Sequence, residues 1–110
     1  MAQFNVSFQV QGIGPVDLPV TPLDELILLV NGLEVRTFRF SVENILALPV
    51  TLDITSTQSG PDADSVAITF DSNPVTIQPA ESVIVTTTIT PLEPLLEGMQ
   101  LDIAVHGQEV

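Results

Sequence analysis

The feature that most constrains this chain is the two-residue alternation running through TIQPAESVIVTTTIT, residues 76–90. After the Pro79-Ala80-Glu81 turn, Val83, Val85, Thr87 and Ile89 fall on one side of an extended chain. Ser82, Ile84, Thr86, Thr88 and Thr90 fall on the other. Successive strand side chains point to opposite faces, so this run makes one face for a core and one for the outside. Its β-branched residues suit a pleated surface. Everything else is expected to pair with this strand or pack on it.

The same period recurs. Residues 2–10 place Ala2, Phe4, Val6, Phe8 and Val10 on one face, with Gly12 and Gly14-Pro15 ending the strand. Three prolines in PVDLPVTP (15–22) bar a central strand and indicate a connector or an edge piece. Leu23–Val30 reads two ways. Thr21, Pro22 and Asp24 fit the N-cap, N1 and N3 of a short helix burying Leu23, Leu26, Ile27 and Val30. Asn31-Gly32 between two apolar runs is instead a type I′ hairpin signal, and strand–turn–strand is the favoured reading. Leu33–Glu43 follows as a strand with Phe38, Phe40 and Val42 inward, ended by Asn44.

Next come Val50, Leu52 and Ile54 inward with Thr51, Asp53 and Thr55 outward, and a loop over Gln58–Asp64. Val66, Ile68 and Phe70 form a strand, Asp71-Ser72-Asn73-Pro74 a turn, and Val75–Ile77 a short lead into the opening run. PLEPLLEG (91–98) is a connector whose leucines cap the core, and Leu101, Ile103 and Val105 face inward from the last strand. No helix-rich segment intervenes, which excludes a parallel α/β sheet. The fold expected is all-β: one antiparallel sandwich of about eight or nine short strands over residues 1–110, with 1–22 as an added N-terminal strand or arm. Both chain ends are expected to be held in a sheet or against a neighbour.

From about Leu33 to Gly107 the order of segments resembles the immunoglobulin-like modules of bacterial surface and virion proteins. FRFSVEN (38–44), PVTLDIT (49–55), ITFDSNPVTIQPAESVIVTTTIT (68–90) and EGMQLDIAVHG (97–107) carry the likeness. The shared pattern is a strand ending in Asn, an apolar strand, a Pro-(Gly or Ala)-Glu-Ser turn, a Thr/Val strand and a final strand. Ala80 stands where such turns often have Gly, and the Cys…Trp…Cys core of antibody domains is missing. The resemblance implies a fold and brings no catalytic or ligand residue with it.

Charge narrows the partners. Against 14 acidic residues stand only Arg36 and Arg39, for a net charge of −12. Such a surface repels phosphate backbones and anionic lipid, so no nucleic-acid or membrane partner is expected. There is no cysteine, hence no thiol nucleophile, disulfide or zinc–thiolate site. A mean hydropathy of +0.43 is high for so charged a chain and points to apolar area beyond one small core, hence to a subunit interface. MAQFNVSFQV alternates and lacks a basic n-region and an apolar h-region, so it reads as a strand rather than a signal peptide.

Candidate chemistry is sparse. Asp62, Asp64, Asp71 and Asn73 carry the oxygen ligands that calcium takes, but without EF-hand spacing they read as solvated loop residues. His106 alternates outward and has no GxSxG motif to serve. A sugar site leans on stacking aromatics, and Trp and Tyr are absent. Asn5-Val6-Ser7 matches a glycosylation sequon within a strand. Arg36 and Arg39 differ in parity and read as ordinary ion pairs, or as anchors for an acidic partner. No catalytic, cofactor-binding or metal residue is therefore assigned, and no cofactor is expected.

These features together lead to the expectation of a non-enzymatic structural protein. A virion capsid decoration or cement protein comes first, with the capsid or identical subunits as partners and a homo-oligomer as the state. The alternatives are an extracellular filament or cell-surface subunit assembled by strand donation, and a small adhesin or carbohydrate-binding module.

Overall fold

The structure is a computed structural model that describes residues 3–13, 18–95 and 97–109. Its alternating runs become the strands of two stacked sheets. β1 (Gln3–Ile13), β3 (Ile27–Asn31), β5 (Val50–Ser59), β7 (Val75–Ile77) and β9 (Gly98–Glu109) form a five-stranded sheet in the order β3-β1-β9-β5-β7. β2 (Val20–Pro22), β4 (Arg36–Glu43), β6 (Val66–Phe70) and β8 (Ser82–Pro91) form a four-stranded sheet in the order β2-β4-β8-β6. A single 3-10 turn, Ala63–Ser65, precedes β6. Odd-numbered strands lie in one sheet and even-numbered strands in the other, so each successive strand crosses the sandwich. The molecule measures 50 × 20 × 17 Å.

The opening run behaves as its period demands. Val85, Thr87 and Ile89 of β8 are buried, Val83 is half-buried, and Ile84 faces out. The same parity puts Phe38, Phe40 and Val42 of β4 and Leu101, Ile103 and Val105 of β9 in the core. Phe8 of β1 stacks on Phe38 across the sandwich, centroids 4.2 Å apart and rings 8° from parallel, and Phe38 sits 6.3 Å from Phe40. Each buried ring contributes about 2–3 kcal/mol by area, and the stack adds about 0.5–1.5 kcal/mol. Thr87 is the exception in this layer: its Oγ1 is buried with no hydrogen-bond partner.

Several expectations change. The sheets are not wholly antiparallel, because β1 runs parallel to β9 from Asn5↔Gly98 to Ile13↔His106. Alternation dictates which face a residue takes and leaves the direction of the neighbouring strand open. β1 lies outside the family-like pattern, yet it is an inner strand, antiparallel to β3 on its other side, with Val6 and Phe8 buried. It is an integral strand of the sheet.

Asn31-Gly32 does not close a hairpin, because β3 and β4 belong to different sheets; Gly32, at φ +63°, carries the chain across the sandwich instead. The strand reading of 23–30 holds for Ile27 onward, and β4 starts at Arg36 rather than Leu33. β5 extends to Ser59, into the expected loop. β2, which ends in Pro22, is a three-residue edge strand, as its prolines require. Of the connector leucines, Leu95 is buried and Leu92 exposed. Met1, Ala2, the Gly14-Pro15 turn, Leu96 and Val110, and the side chains of Phe4 and Val10, lie outside the described residues.

One polar residue organises an end of the core. Asn44 is fully buried; its Nδ2 donates to the carbonyls of Leu48 (2.9 Å) and Ile77 (3.0 Å), and its Oδ1 accepts from Leu46 N–H (2.9 Å). Its backbone N–H donates to Glu81 O and its carbonyl accepts from Ala80 N–H. Every polar group of a buried amide is thus paired, as burial demands. The turn it grips holds Ala80 at φ +65°, a left-handed conformation that glycine adopts without the steric cost of a Cβ.

Candidate functional site

The acidic residues that the sequence offers for a cation are dispersed by the fold. Asp62 and Asp64 precede β6 and Asp71 and Asn73 follow it, and a five-residue strand separates the two pairs by roughly 16 Å at about 3.3 Å per residue. Asp62 is buried, and its carboxylate accepts from the N–H groups of Glu97 (2.9 Å) and Gly98. Its own N–H donates to Gly98 O, so the side chain ties the 3-10 turn to the start of β9. Gly60, at φ +106°, lies beside this contact, where an added Cβ would meet Met99 Cα at 3.2 Å. Asp64 is exposed. Among the described residues no three His, Asp or Glu side chains are grouped to hold a metal ion.

Asp71 and Asn73 instead complete backbone ladders. Asp71 donates its N–H to Thr86 O (3.1 Å) and accepts Thr86 N–H on Oδ1 (2.8 Å), lengthening the β6–β8 pairing by one step. The Asn73 amide accepts Ile54 N–H (3.0 Å) and donates to Ile54 O (2.8 Å), standing in for a strand residue beside β5 where Pro74 has no N–H to give. These two residues carry the chain from β6 in one sheet to β7 in the other without leaving strand edges bare.

A matching device sits on the opposite side, where β2 passes into β3. Leu23 N–H donates to Arg39 O (2.9 Å) and Asp24 Oδ2 accepts Arg39 N–H (2.8 Å). The guanidinium of Arg39 then grips the same carboxylate with two bonds of 3.1 Å. The Arg39 side-chain and backbone hydrogen bonds hold the Asp24 carboxyl below its usual value of 3.8. Arg36 donates to Leu29 O (2.8 Å) and reaches Glu34 at 3.4 Å. Both arginines are therefore in ordinary pairs.

His106 is half-buried and lies in register with Asp53 of β5. The outer face of the four-stranded sheet carries a hydroxyl row, in which Thr37, Thr88 and Thr69 are in register across β4, β8 and β6. The described residues form no pocket.

What the sequence left unmarked is an apolar strip. Leu23, Leu26, Ile27, Leu29, Leu33 and Val35 are all exposed, and they come from one stretch of thirteen positions, 23–35. Six large apolar side chains exposed within one segment of a chain of charge −12 make this segment the first candidate for an interaction surface. A helical reading of 23–30 would have buried Leu23, Leu26 and Ile27 of this strip; the observed strand leaves all three exposed. No protein-family model matches this chain, and no curated protein matches it.

Proposed function

We propose that this protein is a non-enzymatic structural subunit that attaches to a protein lattice, with the outer surface of a virion capsid as the first candidate and decoration or cementing as the role. The exposed apolar strip at 23–35 carries this reading, since it gathers in one segment six of the exposed large apolar residues, a surface that is stabilised by being covered; Ile45, Leu48, Ile84 and Leu92 are exposed elsewhere. The two-sheet sandwich, with the FRFSVEN-to-PAES contacts centred on Asn44, supports an immunoglobulin-like module as the scaffold. A filament assembled by donating the first strand is the weaker alternative, because β1 is seated between β3 and β9 of its own sheet.

The test is to purify assembled particles from the source of the gene and quantify this chain on them, with cryo-electron microscopy locating its density. A fixed number of copies per capsid subunit supports the reading. Particles without the chain, while it accumulates in the soluble fraction or on the cell surface, overturn it. Deleting residues 1–12 is unsuited to this purpose, since it removes an inner strand with Val6 and Phe8 and is expected to unfold the protein.

A further inference from the structure

We infer that the outer edge of β3, which pairs with no other described strand, is a docking site for an extended, lysine- or arginine-bearing apolar segment of another protein, added as a sixth strand to the five-stranded sheet. This deepens the lattice reading above and takes from it the setting in which the partner is met. Backbone geometry comes first. Phe8 N–H donates to Leu26 O, which makes Phe8/Leu26 a hydrogen-bonded pair of the β1–β3 ladder. Bonding alternates along an antiparallel pair, so Leu28 and Val30 turn their N–H and C=O groups to β1, and Ile27, Leu29 and Asn31 turn theirs outward. The Arg36 bond to Leu29 O agrees with this parity.

Side chains point the same way. Ile27 and Leu29 are 60% and 55% exposed on the outer face, while Leu28 and Val30 are buried. An incoming strand would therefore meet main-chain donors and acceptors beside two apolar residues, the combination that strand addition uses for affinity and specificity. The other edges offer an incoming strand less than β3 does. β2 is three residues long and ends in Pro22, and β7 is three residues long and follows Pro74. β6 turns Ala67 and Thr69 outward, and Gln58 Nε2 occupies Val66 O.

Charge selects the occupant. Glu25 is exposed on one side of β3 and Glu34, paired with Arg36, on the other, and Arg39 is engaged by Asp24. A second copy of the chain would bring its own charge of −12 to the same edge, and so would be repelled. A strand with apolar residues at alternate positions and cations between them satisfies both the edge and its rim. Arg36 acts as a removable plug: an incoming N–H takes Leu29 O and leaves the guanidinium with Glu34.

The probe is a capped nine-residue peptide alternating valine with lysine, titrated into the full isotopically labelled chain. Binding is expected, with the Ile27 and Leu29 amide signals shifting and their hydrogen exchange slowing. The Ile27→Lys/Leu29→Lys double variant, its melting temperature unchanged, should bind about tenfold more weakly, and Arg36→Ala about threefold more tightly. A peptide with glutamate for lysine, and one N-methylated at alternate residues, should each lose at least about tenfold.

The inference is overturned by no binding, by an unchanged affinity in the double variant, or by equal binding of the glutamate or N-methylated peptide. Sedimentation showing a dimer whose Ile27 and Leu29 amides are protected overturns it too. Particle attachment separates the two readings. If the double variant still decorates particles, the edge fails as the lattice contact and the lattice reading stands; if particles never carry the chain while the peptide binds, the reverse holds.

Discussion

The two sides of the sandwich are closed by the same device and protected very differently. On one side β2 leads into β3 through residues 23–26; on the other β6 leads into β7 through residues 71–74. At each crossing an aspartate carboxylate accepts the backbone N–H of an inner strand, Asp24 from Arg39 and Asp71 from Thr86. Arg39 and Thr86 face each other in the β4–β8 register, so both edge strands leave the four-stranded sheet at one level. A carboxylate there supplies the acceptor that the departing chain has withdrawn. Beyond this shared step the sides diverge: Asn73 extends the β5 ladder on one, whereas Ile27 and Leu29 stand exposed on the other. Closing a sandwich and shielding its edge are separate tasks, and only one side performs both.

Adjacent leucines give the sharpest contrast. Leu28→Ala empties a buried site and should cost about 2–4 kcal/mol in urea denaturation, while Leu29→Ala should stay within about 0.5 kcal/mol. Equal losses would mean that β3 is covered on both faces, and the comparison would break. On the protected side Asn73→Ala strips both partners from the Ile54 backbone and should cost about 1–3 kcal/mol; an unchanged midpoint would show that water replaces the amide.

Between the two sides, Thr87→Val removes an unpartnered buried hydroxyl and should raise stability by about 1 kcal/mol, a gain that thermal or chemical melting reads directly. The smallest effect belongs to Asp24. Its folded carboxyl titrates below the ordinary 3.8, so its stabilisation is complete above that value and is lost as pH falls through the folded one. Comparing Asp24→Asn with the parent chain across that acid range should show the difference vanish at low pH. It should also shrink with added salt, because the pair is exposed.

Much of this fold could be read from residue order, and the reasons for the failures are specific. β8, β5 and β9 declare their inner faces through strict alternation, since parity is a local property. The partner of a strand is not local. Nothing in QFNVSFQVQGI distinguishes a parallel neighbour from an antiparallel one, and Asn31-Gly32 carries the same letters whether it closes a hairpin or passes between sheets. Asp24 fitted the N3 position of a short helix, and Asp71 and Asn73 read as loop residues, because their real partners, the backbones of Arg39, Thr86 and Ile54, lie 15 to 19 positions away. The apolar strip was hidden for a related reason. Hydrophobic residues in a sequence read as core, and only the placement of β3 at an edge with Leu28 inward turns Ile27 and Leu29 into surface.

The parallel pairing of β1 with β9 also gives the molecule a mechanical polarity. Tension applied between the start of β1 and the end of β9 pulls these neighbours past each other along their length, since the two loaded points lie at opposite ends of one ladder. Such a ladder resists as a whole, each rung sharing the load, whereas strands peeled apart from one end would yield a bond at a time. The β1–β9 ladder should therefore withstand this lengthwise pull better than a pull that peels the two strands apart.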